Sequence, residues 1–135
     1  MDDMAMAAIE VDLKSRVPIY EQIISSVKEA ALAKILGPDE QIPSIRQLTQ
    51  HLGINPNTVQ KAYAELERQG VIYTLAGRGA FVSGDTEKLA NQKRDEILKG
   101  IEALLFEAKK YFISKDAIDN IAKRIYENRT YEQKE

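Results

Sequence analysis
Apolar residues in this chain recur mostly at three- and four-residue steps, the period of helices that bury one stripe. Tyr20, Ile23, Ile24, Val27 and Ala31 form the first such stripe. Pro18 suits its first helical position, where a fixed φ and a missing N–H cost nothing, and Gly37-Pro38 marks its end. Gln41-Ile42 has room only for a short extended piece, which Pro43 favours in the residue before it. Ser44 predicts the cap of a second helix, with Ile45, Leu48 and Leu52 inward and Gly53 closing it. Asn55 caps a third, with Pro56 at its first position, Val59, Ala62, Tyr63 and Leu66 inward, and Gly70 at its end. Two extended runs follow, Val71 to Leu75 and Ala80 to Ser83. They flank Ala76-Gly77-Arg78-Gly79, a glycine-bearing reversal that predicts a β-hairpin.

Beyond Gly84 the chain turns charged and helix-favouring. Ile97, Ile101, Leu104, Leu105, Ala108 and Phe112 mark one stripe of a long helix from about Thr86, weakened by about 1 kcal/mol at Gly100. Ser114 caps a last helix bearing Ile118, Ile121, Ala122 and Ile125, and the residues from about Asn128 are expected to fray. Residues 1–16 show no sustained period, apart from the alternating piece Ile9-Glu10-Val11-Asp12-Leu13.

This order divides the chain into an N-terminal arm (1–16), a head (17–84) and a helical tail (85–135). Two short helices around a glycine turn, then a glycine-tipped hairpin, make a winged helix-turn-helix: the helix-turn-helix at about 44–63, the wing at about 71–83. The expected fold is therefore mainly α, with a small β-hairpin wing and a C-terminal two-helix unit. In such a head the second helix of the pair lies in the DNA major groove and the first braces it. At about 100° per residue, Asn57, Lys61, Ala64 and Arg68 fall opposite the apolar face, with Gln60 beside them. Amides and a lysine can bond base edges and phosphates, and Ala64 is small enough to permit close approach. Asn55 and Thr58 stand at the helix N-terminus, where free N–H groups and the helix dipole favour a phosphate. The same two residues serve equally well as a plain helix cap, and Arg78 equally well as a solvated turn residue.

Composition narrows the picture. Hydrophobic residues make up 44% and charged residues 30%, the balance of a water-soluble globular chain without a membrane-spanning run. The acidic start Met1-Asp2-Asp3-Met4 is no secretion signal, so a cytoplasmic address is expected. Zero cysteines exclude disulfides and thiolate zinc sites, and one histidine leaves little for any metal; no cofactor is expected. Net charge is −2, and within the head Arg46, Lys61, Arg68 and Arg78 are balanced by Asp39, Glu40, Glu65 and Glu67. A neutral head lacks the basic footprint of a nucleic-acid binder. Placement tells more than the sum: Arg46, Lys61 and Arg78 all fall on the elements expected to face DNA.

Other function classes fit less well. An enzyme would need more than the single His51 before a turn glycine, with no phosphate loop and no clustered nucleophile. A winged helix serving protein–protein contact would carry an apolar outer face, whereas Asn57, Lys61 and Arg68 are polar. Two amphipathic tail helices cannot bury both stripes alone. Either they fold back onto the head or a second chain covers them through Ile97, Ile101, Leu104, Leu105, Ala108, Phe112, Ile118, Ile121 and Ile125. Nothing in the tail points to a small-molecule effector site.

Three runs carry a resemblance: Gln41-Ile42-Pro43-Ser44-Ile45-Arg46-Gln47-Leu48, Leu52-Gly53-Ile54-Asn55-Pro56-Asn57-Thr58-Val59, and Gly77-Arg78-Gly79-Ala80-Phe81-Val82. Together, from about Ile19 to Val82, they closely resemble the GntR family of bacterial transcriptional regulators. Asn-Pro-Asn-Thr followed by Val-Gln-Lys-Ala-Tyr is similar to its YtrA-like branch, in which a short helical tail dimerises and many members repress transcription. The resemblance implies a homodimer on a palindromic double-stranded DNA operator. It implies DNA contact by Arg46 after Pro-Ser, by Asn55, Asn57 and Thr58 opening the reading helix, and by the wing tip at Gly77 and Arg78. Ser44, Gln60, Lys61 and Gly79 complete the expected DNA-binding set. Two departures stand out: Pro38-Asp39-Glu40 lacks the glycine often found after that proline, and Ala80 replaces a frequent threonine.

Overall fold
The computed structural model describes residues 3–128. Element order is α1 (Asp3–Ala7), α2 (Ile19–Leu32), β1 (Gln41–Ile42), α3 (Ile45–Leu52), α4 (Pro56–Arg68), β2 (Ile72–Leu75), β3 (Gly79–Val82), α5 (Thr86–Lys110) and α6 (Lys115–Glu127). The chain divides into two compact units, Met1–Gln92 and Lys93–Glu135. Residues 129–135, part of the stretch expected to fray, lie outside the described residues.

In the first unit α2 packs on α4, and α3 braces α4 from the other side of the turn. Ile23, Val27, Leu48, Val59, Ala62, Leu66 and Val82 meet in one apolar core, each removed from water. At roughly 1.5–3 kcal/mol per fully buried large aliphatic side chain, this core is the main source of the unit's stability. The short extended piece at β1 does more than expected. It pairs antiparallel with β3, which also pairs with β2, giving a three-stranded sheet of order β1-β3-β2. The wing is thereby anchored by a strand that lies before the helix-turn-helix in the chain.

Both boundaries of α2 differ from the sequence pattern. Pro18 is the cap of α2 rather than its first residue. The helix stops at Leu32, well short of Gly37. Lys34 takes φ 59, and the Ile35 N–H reaches the Ala30 carbonyl at 2.9 Å, so a Schellman turn forms with lysine where glycine is usual. Leu36 is then free to turn inward to full burial. A left-handed residue is cheapest as glycine, which is why the sequence pattern pointed to the next glycine instead.

The N-terminal arm also changes character. Residues 3–7 form α1, and Ala5 and Ile9 join the head's core. Ser26 Oγ accepts from the Glu10 N–H and donates to the Ala8 carbonyl, and Gln22 bonds the backbone of Asp12 and Val17. The alternation of Ile9-Glu10-Val11-Asp12-Leu13 is no strand, and Leu13 stays exposed.

In the second unit, Ala108, Ala117 and Ile118 are half-buried while every other described apolar residue is exposed. Phe112 is not on the long helix. It follows the helix end in a left-handed conformation, φ 60, and the Ile113 N–H bonds the Ala108 carbonyl across it. The stripe expected to run through Phe112 therefore ends at Ala108. Ser114 then caps α6 by accepting the Ala117 N–H at 3.1 Å.

Candidate nucleic-acid interface
Two caps fix the angle at which the helix pair is presented. Ser44 Oγ accepts the Gln47 N–H at 3.0 Å, while the Gln47 side chain accepts the Ser44 N–H at 3.0 Å. This reciprocal capping box ties off two backbone donors at the start of α3 and leaves Arg46 on its exposed first turn. At α4, Asn55 Oδ1 accepts the Asn57 N–H at 2.9 Å and Pro56 occupies the first turn. The cap role of Asn55 is thus real. Between the helices, the buried Tyr63 hydroxyl donates to the Pro43 carbonyl at 2.6 Å. Burial pushes that phenol well above its usual range, so it remains a donor at any physiological pH.

The outer face of α4 matches the helical-wheel expectation. Asn57, Gln60, Lys61, Ala64 and Arg68 are all exposed, Thr58 is half-buried, and Val59, Ala62, Tyr63 and Leu66 are buried. Its cations are used unequally. Arg68 donates from Nε to Glu65 at 2.8 Å and from a terminal nitrogen to the other carboxylate oxygen, while Gln69 donates to the same carboxylate. Those hydrogen bonds, Arg68's first, hold the Glu65 carboxyl down at about 2. Arg68 is thus spent on its own helix. Lys61 instead keeps its charge, its ammonium 4.3 Å above the ring of Tyr20 on α2.

The wing tip is built by glycine chemistry. The Arg78 N–H bonds the Leu75 carbonyl at 2.9 Å, closing a turn whose third residue, Gly77, has φ 76. Gly79 has φ 114, and a Cβ there would come within 2.8 Å of Gln41 Nε2. Gln41 uses that nitrogen to donate to the Arg78 carbonyl at 2.9 Å, so β1 grips the turn directly. The side chains of Arg46 and Arg78 have no ion-pair partner among the described residues.

The expected site residues fall into three groups. Ser44, Arg46, Gly77 and Gly79 line one cleft between the start of α3 and the wing, whereas Arg78, between those two glycines, is not among its lining residues. Asn55, Asn57, Thr58 and Gln60 form the exposed opening of α4. Lys61 lies in a separate groove against α2, beside Tyr20, Glu21, Ile24 and Arg68. Sequence reading missed two participants. Tyr20 belonged to the buried stripe by period, yet it is half-buried and faces Lys61. Glu65 stands three residues before Arg68, the spacing of a helical ion pair, and that spacing was the available signal.

The missing glycine after Pro38 also has a physical account. Asp39 takes that place with φ 62, a conformation aspartate tolerates, and its carboxylate accepts the Tyr73 hydroxyl at 2.8 Å. Ala80 is buried in the sheet opposite Thr74, where a small apolar side chain packs without needing a partner.

Comparison with known proteins agrees with this geometry. Residues 19–82 match the family described as Bacterial regulatory proteins, gntR family. The chain is 44% identical over 101 residues to the HTH-type transcriptional repressor YtrA of Bacillus subtilis (strain 168), covering 74% of this chain and 78% of that protein. A transcriptional regulator from Oenococcus oeni superposes with a TM-score of 0.73 at 32% identity, over 86% of this chain and 97% of that one. The AraR DNA-binding domain in complex with operator ORX1 gives a TM-score of 0.50 at 29% identity, over 56% and 96% of the two chains. With the capped helix pair, the gripped wing and this extent of identity, the chain belongs to the gntR family of bacterial regulatory proteins, in its YtrA-like branch.

Proposed function
We propose that this protein is a transcriptional repressor that binds a two-fold DNA operator as a homodimer. α4 enters the major groove with Asn57 and Gln60 at base edges, and Arg46 and the Arg78 turn hold phosphates on either side. The observation that carries this reading is the exposed polar opening of α4 beside a cleft shared by Arg46 and the wing tip. An apolar outer face, as a protein-docking helix would need, is not what α4 presents. Three placed cations per head make modest affinity for a single copy, so two heads on one site are required for tight binding. The exposed stripe of α5 and α6 supplies the natural means, a second copy of the tail covering Ile97, Ile101, Leu104, Leu105, Ala108, Ile118, Ile121 and Ile125. Half-sites then lie about one helical turn apart. No helix among the described residues is long and apolar enough to cross a membrane, which accords with action on DNA in the cytoplasm.

Selection of bound fragments from random DNA tests the whole proposal. Recovered sites with two-fold symmetry are expected, and replacing Asn57 and Gln60 with alanine should remove discrimination between selected and scrambled duplexes. Unchanged discrimination in that variant would exclude α4 as the reading element.

A further inference from the structure
We infer that Tyr20 is a positioning residue for DNA binding: its ring holds the Lys61 ammonium at the α2 edge of the reading helix, where it meets a phosphate and not a base. The inference rests on the DNA-binding reading above. Lys61 Nζ stands 4.3 Å from the Tyr20 ring centroid, inside the ~6 Å over which the electron-rich face of a ring attracts a cation. Tyr20 lies in the first turn of α2 and is half-buried, so its ring is a fixed platform.

A free lysine has many rotamers to lose when it engages a partner, and a ring that orders the stem beforehand removes part of that cost. The ring occupies one side of an ammonium that carries three donors, leaving the others open. The charge also survives. Arg68, on the same face, is neutralised by Glu65, whereas Lys61 has no ion-pair partner among the described residues. Neither carboxylate lining the groove pairs with Lys61: Glu21 accepts the Tyr20 hydroxyl at 3.4 Å, and Glu65 holds Arg68 and Gln69. An ammonium is a point charge without the planar fork that distinguishes bases, so a lysine fixed at the helix edge adds affinity without sequence preference.

The test uses the full chain, a selected operator duplex and a scrambled duplex of the same length, titrated by fluorescence anisotropy over a series of KCl concentrations. Lys61→Ala is expected to weaken both duplexes by the same factor and to lower the salt slope by about one per protomer. Tyr20→Phe keeps the ring and should bind as the parent does. Tyr20→Leu should weaken both duplexes by about two- to fivefold, the size of an exposed cation–π contact, and should cost nothing further once Lys61 is alanine. Running the same cycle with Tyr20→Met guards against a packing defect in the leucine variant. Equal losses from both ring-less variants with and without Lys61 overturn the positioning role. A Lys61→Ala loss confined to the selected duplex overturns the phosphate assignment. A parent protein that binds neither duplex overturns the DNA-binding reading, and this inference with it.

Discussion
The two units of this chain spend their apolar residues in opposite ways. In the first, Leu48, Val59, Leu66 and Val82 are sealed from water. In the second, Leu104 on α5 is left at 66% exposure and Phe112, in the turn between α5 and α6, at 94%. The first unit closes its core because helices from three directions and a sheet converge on it. Two helices joined by a short turn offer each other only one narrow seam. One chain thus contains a head with a closed core and a tail whose apolar stripe stays open, and the proposed homodimer would cover that stripe while doubling the contacts of an electrically neutral head.

The sharpest way to break this contrast is to charge the tail. Leu104→Lys together with Ile97→Lys should convert a dimer to a monomer by sedimentation while leaving the head's unfolding transition unmoved. A dimer that survives would place the interface elsewhere. Next in size is the head core. Leu66→Ala should cost about 2–5 kcal/mol in chemical denaturation, the range for emptying a packed leucine site, with no change in tail association below the unfolding transition. An exposed leucine of the tail, truncated in the same way, should cost the isolated chain far less.

Smaller effects lie at the joints. Tyr63→Phe removes the donor to the Pro43 carbonyl and should lower stability by about 1–2 kcal/mol, leaving a buried acceptor unmet. At Phe112, a left-handed aromatic residue is held at a cost of roughly 1 kcal/mol by backbone hydrogen bonds that glycine would make equally well, while its ring stays 94% exposed. Phe112→Gly should therefore leave the monomer's folding stability unchanged or slightly raised, yet weaken dimerisation if the partner covers the ring. The smallest effect is electrostatic. Because the folded-state pKa of Glu65 is lowered, its contribution is present at neutral pH and is lost as pH falls from about 4.5 towards 2. Glu65→Gln should flatten that part of the acid titration of stability, and it should also free Arg68, strengthening binding to scrambled DNA at low salt.

Much of the head was legible because its punctuation is local. Ser44 with Gln47, Asn55 with Pro56, and Gly77 with Gly79 each state a backbone conformation within a few residues, and the periods between them name the buried faces. Where the legible signal failed, a non-glycine residue had taken a glycine's backbone. Lys34, Asp39 and Phe112 all adopt positive φ, and no local rule separates such residues from helix interior or loop. The candidate site shows the same division. Its exposed face was readable from the α4 wheel, and the Glu65–Arg68 spacing signalled one ion pair, but the seat of Lys61 on Tyr20 was not readable.

Sequence alone therefore determined the order of elements from α2 onward, the caps at Ser44, Asn55 and Ser114, and the exposed face of α4, since each depends on neighbours within one or two turns. Tertiary structure decided the rest. It recruited Ala5 and Ile9 into the core, added β1 to the wing so that Gln41 grips the Arg78 turn, and set Lys61 over Tyr20 on another helix. The last two join residues 37 and 41 positions apart, a separation at which chain order carries no information and only packing can choose the partner.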